Sequence, residues 1–184
     1  MTDDTRALRE TRLSSDSVYR GRILDLEVDR VRLPSGSETT REVVRHRGAA
    51  VVLPLLADRK VVLVRQYRYP SDEVLLELPA GKLDPGEDPR ECAARELEEE
   101  TGWRAGEVRE LGSFLTTPGF TDEVLHAFLA THLSEAPDAS PDPDEEIQIV
   151  TMTVDELLEG CRNGDIRDGK TLATIFLAQL NGLI

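Results

Sequence analysis

The side chains best placed to do chemistry are carboxylates, and they gather around Arg95 between Gly81 and Trp103, in the stretch GKLDPGEDPRECAARELEEETGW. On a helix, residues three and four apart share a face, so Glu96, Glu99 and Glu100 would crowd into about 100° of arc. Carboxylates packed that closely repel one another. The repulsion is relieved if the face is open to solvent, or if a divalent cation sits among them. Hard oxygen donors of this kind suit a divalent cation such as magnesium.

The elements that must position these groups can be read from the same stretch. Asp88 fits a helix N-cap, Pro89 the first helical position and Glu91 the partner of a capping box, while Gly102 fits the stop. Ala93 and Leu97 supply an apolar strip beside the glutamates, and Glu91 is spaced to pair with Arg95 at i+4. Taken alone, the glutamates favour the plainer reading of a solvated acidic face. The flanking residues decide against it, as set out below.

Size and composition narrow the field. A chain of 184 residues holds one well-packed domain with room for a small appendage. With 22 basic against 36 acidic residues and a net charge of -14, neither a nucleic-acid surface nor an anionic membrane is expected as the main partner. Cys92 and Cys161 have no metal-ligand spacing and form no disulfide framework, so both read as reduced structural thiols. The start is too polar for a signal peptide, and the apolar run Ala49 to Ala57 is too short to span a bilayer, which makes the cytoplasm the expected compartment. Trp103, His46, His126 and His132 are scattered and read as packing or surface residues.

The first sixteen residues carry no periodic pattern and are expected to fray. From Leu24, apolar and acidic residues alternate as in a half-buried strand; Pro34-Ser35-Gly36-Ser37 reads as a turn and Thr40 to Arg45 as a returning strand. Such a ribbon is marginal alone and must lie on the main domain or on a second copy of the chain. Three strands follow at Ala50 to Leu56, Val61 to Tyr67 and Val74 to Leu78, and Arg68 leads from the second toward the acidic loop. Beyond the helix, Val108 to Thr116 and Glu123 to Ala130 read as strands around the turn Thr117 to Asp122. Ser134 to Asp144 reads as a mobile loop, Ile147 to Val150 as a short strand, and Thr153 with Glu156 as a capping box opening a helix that Gly164 stops. A last amphipathic helix, Thr171 to Leu180, is expected to turn Leu172, Ile175, Phe176 and Ala178 to Leu180 toward the core.

The spacing of Gly81, Glu87, Arg95, Glu96, Leu97, Glu99, Glu100, Gly102 and Trp103 resembles the signature of the Nudix hydrolases at every specified position. The string TPGFTDEV resembles the segment downstream of that signature in ADP-ribose pyrophosphatases. The resemblance implies an α/β fold, a Nudix-type α/β/α sandwich on a mixed sheet with a short N-terminal antiparallel ribbon. Residues 1–47 would form the arm and ribbon and 48–184 the hydrolase domain. It implies magnesium or manganese held by Glu96, Glu99, Glu100 and the Ala80 carbonyl, with Glu145 as a further ligand. Glu99, Glu145 and Glu146 are the candidates for the base that takes the proton from water. Gly81, Glu87, Arg95 and Gly102 take structural roles. Arg41, Arg68, Pro118, Gly119 and Glu123 match positions near substrate in similar enzymes. Tyr19 stands in for the aromatic residue that those enzymes carry near the positions of Arg22 and Ile23. The implied substrate is a nucleoside diphosphate-sugar, ADP-ribose first, and the implied assembly a homodimer through the N-terminal arm.

Three other readings compete. The signature encodes diphosphate chemistry and leaves the attached group open, so another sugar nucleotide or a dinucleotide could be the substrate. A non-catalytic nucleotide-sensing module would share the fold without needing a complete set of metal-activating glutamates. An acidic interaction protein explains the charge but not the motif.

Overall fold

The computed structural model describes residues 7–137 and 146–184, which fall into two units: Met1–His46 with Thr117–Glu123, and Arg47–Thr116 with Val124–Ile184.

The first unit is an antiparallel sheet of β1 (Thr11–Arg20), β2 (Asp25–Arg32) and β3 (Glu38–Arg45), in that order. β1 forms where the sequence showed no period, which corrects the expectation of a frayed start. Its side chains are exposed along almost the whole strand, so no apolar alternation marks it, and backbone pairing with β2 holds it through two register shifts. Thr117–Glu123 joins this unit through the backbone: Val44 N donates to Phe120 O at 2.8 Å, and Val44 bridges Thr121.

The second unit carries β4 (Ala49–Pro54), β5 (Lys60–Arg68), β6 (Glu73–Glu77), β7 (Ala80–Lys82), α1 (Pro89–Thr101), β8 (Trp103–Arg104), β9 (Glu107–Leu115), β10 (Val124–Thr131), β11 (Ser134–Glu135), β12 (Ile147–Thr153), α2 (Val154–Asn163) and α3 (Gly169–Leu180). One sheet runs β7-β4-β10-β9, with β4 and β10 parallel and the other pairs antiparallel; a second runs β12-β5-β6, and β11 pairs with β8. The mixed sheet is buried on both faces. Along β4, Ala49, Val51 and Leu53 pack with Ile175 and Ala178 of α3, while Ala50 and Val52 pack with Cys92, Ala93 and Leu97 of α1. Period-two alternation with both sides apolar is what a strand sandwiched between helices requires, and it gives the expected α/β/α layering. Leu97 is fully buried, and truncating it to alanine would cost about 2–5 kcal/mol.

Two expectations about the helices are corrected. Asp88 caps α1 by accepting from Arg90 N at 2.8 Å, without the capping box expected from Glu91, whereas the box expected at α2 forms between Thr153 and Glu156. In α3, Thr171, Thr174, Ile175 and Ala178 make the buried face at i, i+3, i+4 and i+7, which leaves Phe176 and Leu180 mostly exposed. The loop expected over Ser134 to Asp144 lies largely outside the described residues, and its first two residues pair with β8.

Candidate active site

The glutamates of α1 are presented to β7 by backbone geometry. Gly102 closes the helix at φ 69°, its N–H donating to Glu98 O at 2.9 Å, a conformation that glycine adopts without the strain a Cβ brings. At the facing strand, Ala80 N donates to Glu100 Oε2 at 3.2 Å, and Glu100 is buried on the same side of the helix as Leu97. Gly81 lies so close to α1 that a Cβ there would stand 1.8 Å from Glu96 Oε1. A side chain there would have to displace the Glu96 carboxylate, the far end of a flexible side chain.

Arg95 organises the cluster. Its Nε and Nη2 donate to the two oxygens of Glu87 at 2.9 and 3.1 Å, and its Nη1 reaches Glu96 Oε1 at 2.8 Å and Glu99 Oε2 at 2.9 Å. The expected i+4 pair with Glu91 gives way to these three carboxylates. Bidentate bonding by Arg95 holds the Glu87 carboxyl below the usual carboxylate range, and Glu87 in turn raises the Arg95 pKa. Cys92 closes the far side, its Sγ donating to Gly81 O at 3.6 Å and Lys82 O at 3.5 Å. Burial, with Glu87 and Glu96 nearby, pushes this thiol up to about 12, so it stays protonated and packs as a small apolar group.

The donor set fits a divalent cation in kind. Glu96, Glu99 and Glu100 offer hard oxygens, and the carboxylates that Arg95 pairs with outnumber its single charge. Among the described residues, no three His, Cys, Asp or Glu side chains converge to ion-binding distance, and the Arg95 guanidinium bridges Glu96 and Glu99.

Arg68, at the end of β5, makes a second cluster in the same unit. Its Nε and Nη2 donate to Glu77 Oε1 and Oε2 at 2.8 and 2.7 Å, and Lys170 Nζ also donates to Glu77 Oε2. Burial pushes the Glu77 pKa up; the bonds from Arg68 and the charge of Lys170 more than offset that and hold it below the usual range. Glu77, Asp168, Lys170 and Thr171 were missed in the sequence. Two signals were present: a lone charge inside the apolar run LLELP, and an Asp three residues before a Thr at a helix start.

The remaining sequence-predicted residues lie elsewhere. Tyr19 is exposed near the end of β1, and Arg41 on β3 binds Glu10 Oε1 at 2.6 Å. Pro118 and Gly119 are exposed in the turn of the first unit, where Glu123 Oε1 lies 3.4 Å from His46 Nδ1. In that unit Arg45 ties Glu27, Asp29 and Asp122 together at 2.8, 2.8 and 3.2 Å. Glu146 is exposed, and Glu145 lies outside the described residues.

A carboxylate helix laid against a glycine strand in an α/β/α sandwich defines a class, and comparison with known proteins gives it a name. Residues 44–174 match the NUDIX domain, and residues 10–44 match the nucleoside diphosphate sugar hydrolase N-terminal domain. The chain belongs to the Nudix family. It is 42% identical over 172 residues to the methanol dehydrogenase activator of Bacillus methanolicus, covering 93% of each chain. It is 38% identical over 176 residues to the ADP-ribose pyrophosphatase of Bacillus subtilis (strain 168), covering 95% of each. Its fold is similar to a crystal structure of an ADP compounds hydrolase, with a TM-score of 0.81 at 22% identity, covering 96% of this chain and 97% of that one. Among the described residues, no helix is long and apolar enough to cross a membrane.

Proposed function

We propose that this chain hydrolyses the diphosphate bridge of a nucleoside diphosphate-sugar, with ADP-ribose as substrate and AMP and ribose 5-phosphate as products. The observation that carries the reading is the placement of Glu96 and Glu100 against Gly81 and Ala80, with Glu99 on the adjoining turn of the helix. Glu96, Glu99 and Glu100, with the Ala80 carbonyl and Glu145, would hold magnesium, or manganese in its place. A cation bound there would neutralise the diphosphate and lower the pKa of the attacking water. Arg68, with one edge of its guanidinium turned from Glu77, would bind a phosphate oxygen. Glu99, Glu145 and Glu146 are the carboxylates for taking the proton as water adds to phosphorus and the bridging P–O bond breaks.

Tyr19, Arg41, Pro118, Gly119 and Glu123 are the candidates for contacting substrate that the resemblance supplies. The exposed length of β1, with Val18 and Tyr19 open to solvent, supports a homodimer through the N-terminal arm. The free thiols Cys92 and Cys161 support a reducing compartment such as the cytoplasm.

The test offers purified protein ADP-ribose, other sugar nucleotides and dinucleotides in parallel with magnesium, and identifies the products. AMP formed from ADP-ribose at the highest kcat/KM is expected; no hydrolysis of any would overturn the reading. The Bacillus methanolicus relative, named as an activator of methanol dehydrogenase, supports a second reading in which the chain raises the rate of a dehydrogenase. Glu96→Gln separates the two: stimulation that survives the loss of hydrolysis would favour activation without catalysis.

A further inference from the structure

The first turn of α3 reaches the strand that leads into the site. Lys170 Nζ donates to Glu77 Oε2 and, at 3.0 Å, to Asp168 Oδ2. Next to it, Thr171 Oγ1 accepts from Leu78 N at 2.9 Å and donates to Asp168 Oδ2 at 2.6 Å. Two residues on, Ala80 N donates to Glu100 of α1. The chain from Glu77 to Ala80 is thus held by α3 at its start and by α1 at its end.

The guanidinium of Arg68 is a planar fork with donors on two edges. Glu77 takes the edge formed by Nε and Nη2. Among the described residues Nη1 bonds to none, and the side chain is 39% exposed. The carboxylates of Glu77 and Asp168 face the two cations Arg68 and Lys170, and Glu100 adds a further negative charge within electrostatic reach of Arg68. Without Lys170 these carboxylates would face Arg68 alone, and an incoming diphosphate would meet more negative charge beside the donors that Arg68 exposes.

We propose that Lys170 is a positioning residue for the diphosphate: by sharing Glu77 with Arg68, it leaves Arg68 oriented and electrostatically free to bind a phosphate oxygen. The inference rests on the diphosphate substrate read above. Lys170 acts through Glu77 and Arg68, so its loss falls on substrate binding rather than on the chemical step. Thr171 acts on the backbone instead, fixing the approach to Ala80 and Gly81.

The test uses the full chain, with ADP-ribose and magnesium, comparing wild type, Lys170→Met and Lys170→Arg. Lys170→Met is expected to raise KM about tenfold with kcat kept within about threefold, and Lys170→Arg to recover most of the loss. An unchanged KM in Lys170→Met, or no recovery in Lys170→Arg, overturns the proposal. A merely structural lysine would lower the melting temperature without this split between KM and kcat. If Lys170→Met fails to fold, Lys170→Gln, which keeps a donor without the charge, takes its place. Affinity for inorganic pyrophosphate, measured by calorimetry in EDTA, tests the idea apart from turnover. Should wild type leave ADP-ribose intact, the reading of function fails; weaker pyrophosphate binding by Lys170→Met than by wild type would still sustain the role of Lys170, and equal binding would overturn it.

Discussion

Two arginine–glutamate clusters sit in the same unit and are built on opposite principles. Around Arg95, the carboxylates of Glu87, Glu96 and Glu99 share one guanidinium, and all lie within a few turns of sequence. Around Glu77, one almost completely buried carboxylate is met by two cations, Arg68 and Lys170, with Asp168 also paired to Lys170, all drawn from distant parts of the chain. The surplus negative charge at Arg95 is relieved by solvent or by an arriving cation, whereas the two cations at Glu77 are what a buried carboxylate needs to stay charged. The proposed metal site thus falls in the cluster with surplus negative charge, while the other cluster holds a buried carboxylate in place.

Substitutions should separate the two roles. Removing Glu77 strands Arg68 and Lys170 in a partly desolvated site, so Glu77→Ala should lower stability by about 3 kcal/mol, read as a shift in the urea midpoint. Glu96→Gln should slow kcat by about 10² or more at saturating magnesium, with the urea midpoint little changed because it also relieves repulsion. A Glu96→Gln enzyme with full rate would erase the distinction between the clusters. Gly81→Ala displaces the Glu96 carboxylate, which can swing aside, and should lower kcat while changing stability by less than about 1 kcal/mol.

Acid offers a finer test. Glu77 and Glu87 both have folded pKa values below their ordinary 4.5, so the stability they confer is present above that value and lost as pH falls through the folded values. Denaturation midpoints measured from pH 6 downward should hold until about pH 4.5 and then fall, less steeply in Glu87→Gln. Smallest of all should be the exposed pair Arg162–Glu159 on α2, where Arg162→Ala is expected to change stability by less than about 0.5 kcal/mol.

The same contrast explains what could be read from sequence. The Arg95 cluster was legible because its members lie on one helix and the loop before it, where spacing alone dictates proximity; even there, Arg95 chose Glu87, Glu96 and Glu99 over the nearer-looking Glu91. Glu77 and Lys170 stand 93 residues apart, and no local pattern joins them. The layered core was legible in the unbroken apolar runs of β4 and β5, because strands buried on both faces have no polar side to interrupt them. β1 was not, since an exposed strand stabilised by backbone pairing leaves no hydrophobic period. Phe176 and Leu180 looked like core because composition reports hydrophobicity, whereas the geometry of α3 decides which side faces inward.

The first unit is discontinuous: its sheet comes from the start of the chain, but Thr117–Glu123, inserted between β9 and β10, belongs to it. A protein shortened to begin at Arg47 would keep that insert and lose Val44, the strand residue whose N–H and carbonyl both bond to it. Domain surgery at this junction would thus leave an orphaned loop, and grafting the ribbon onto a relative would mean moving both pieces together.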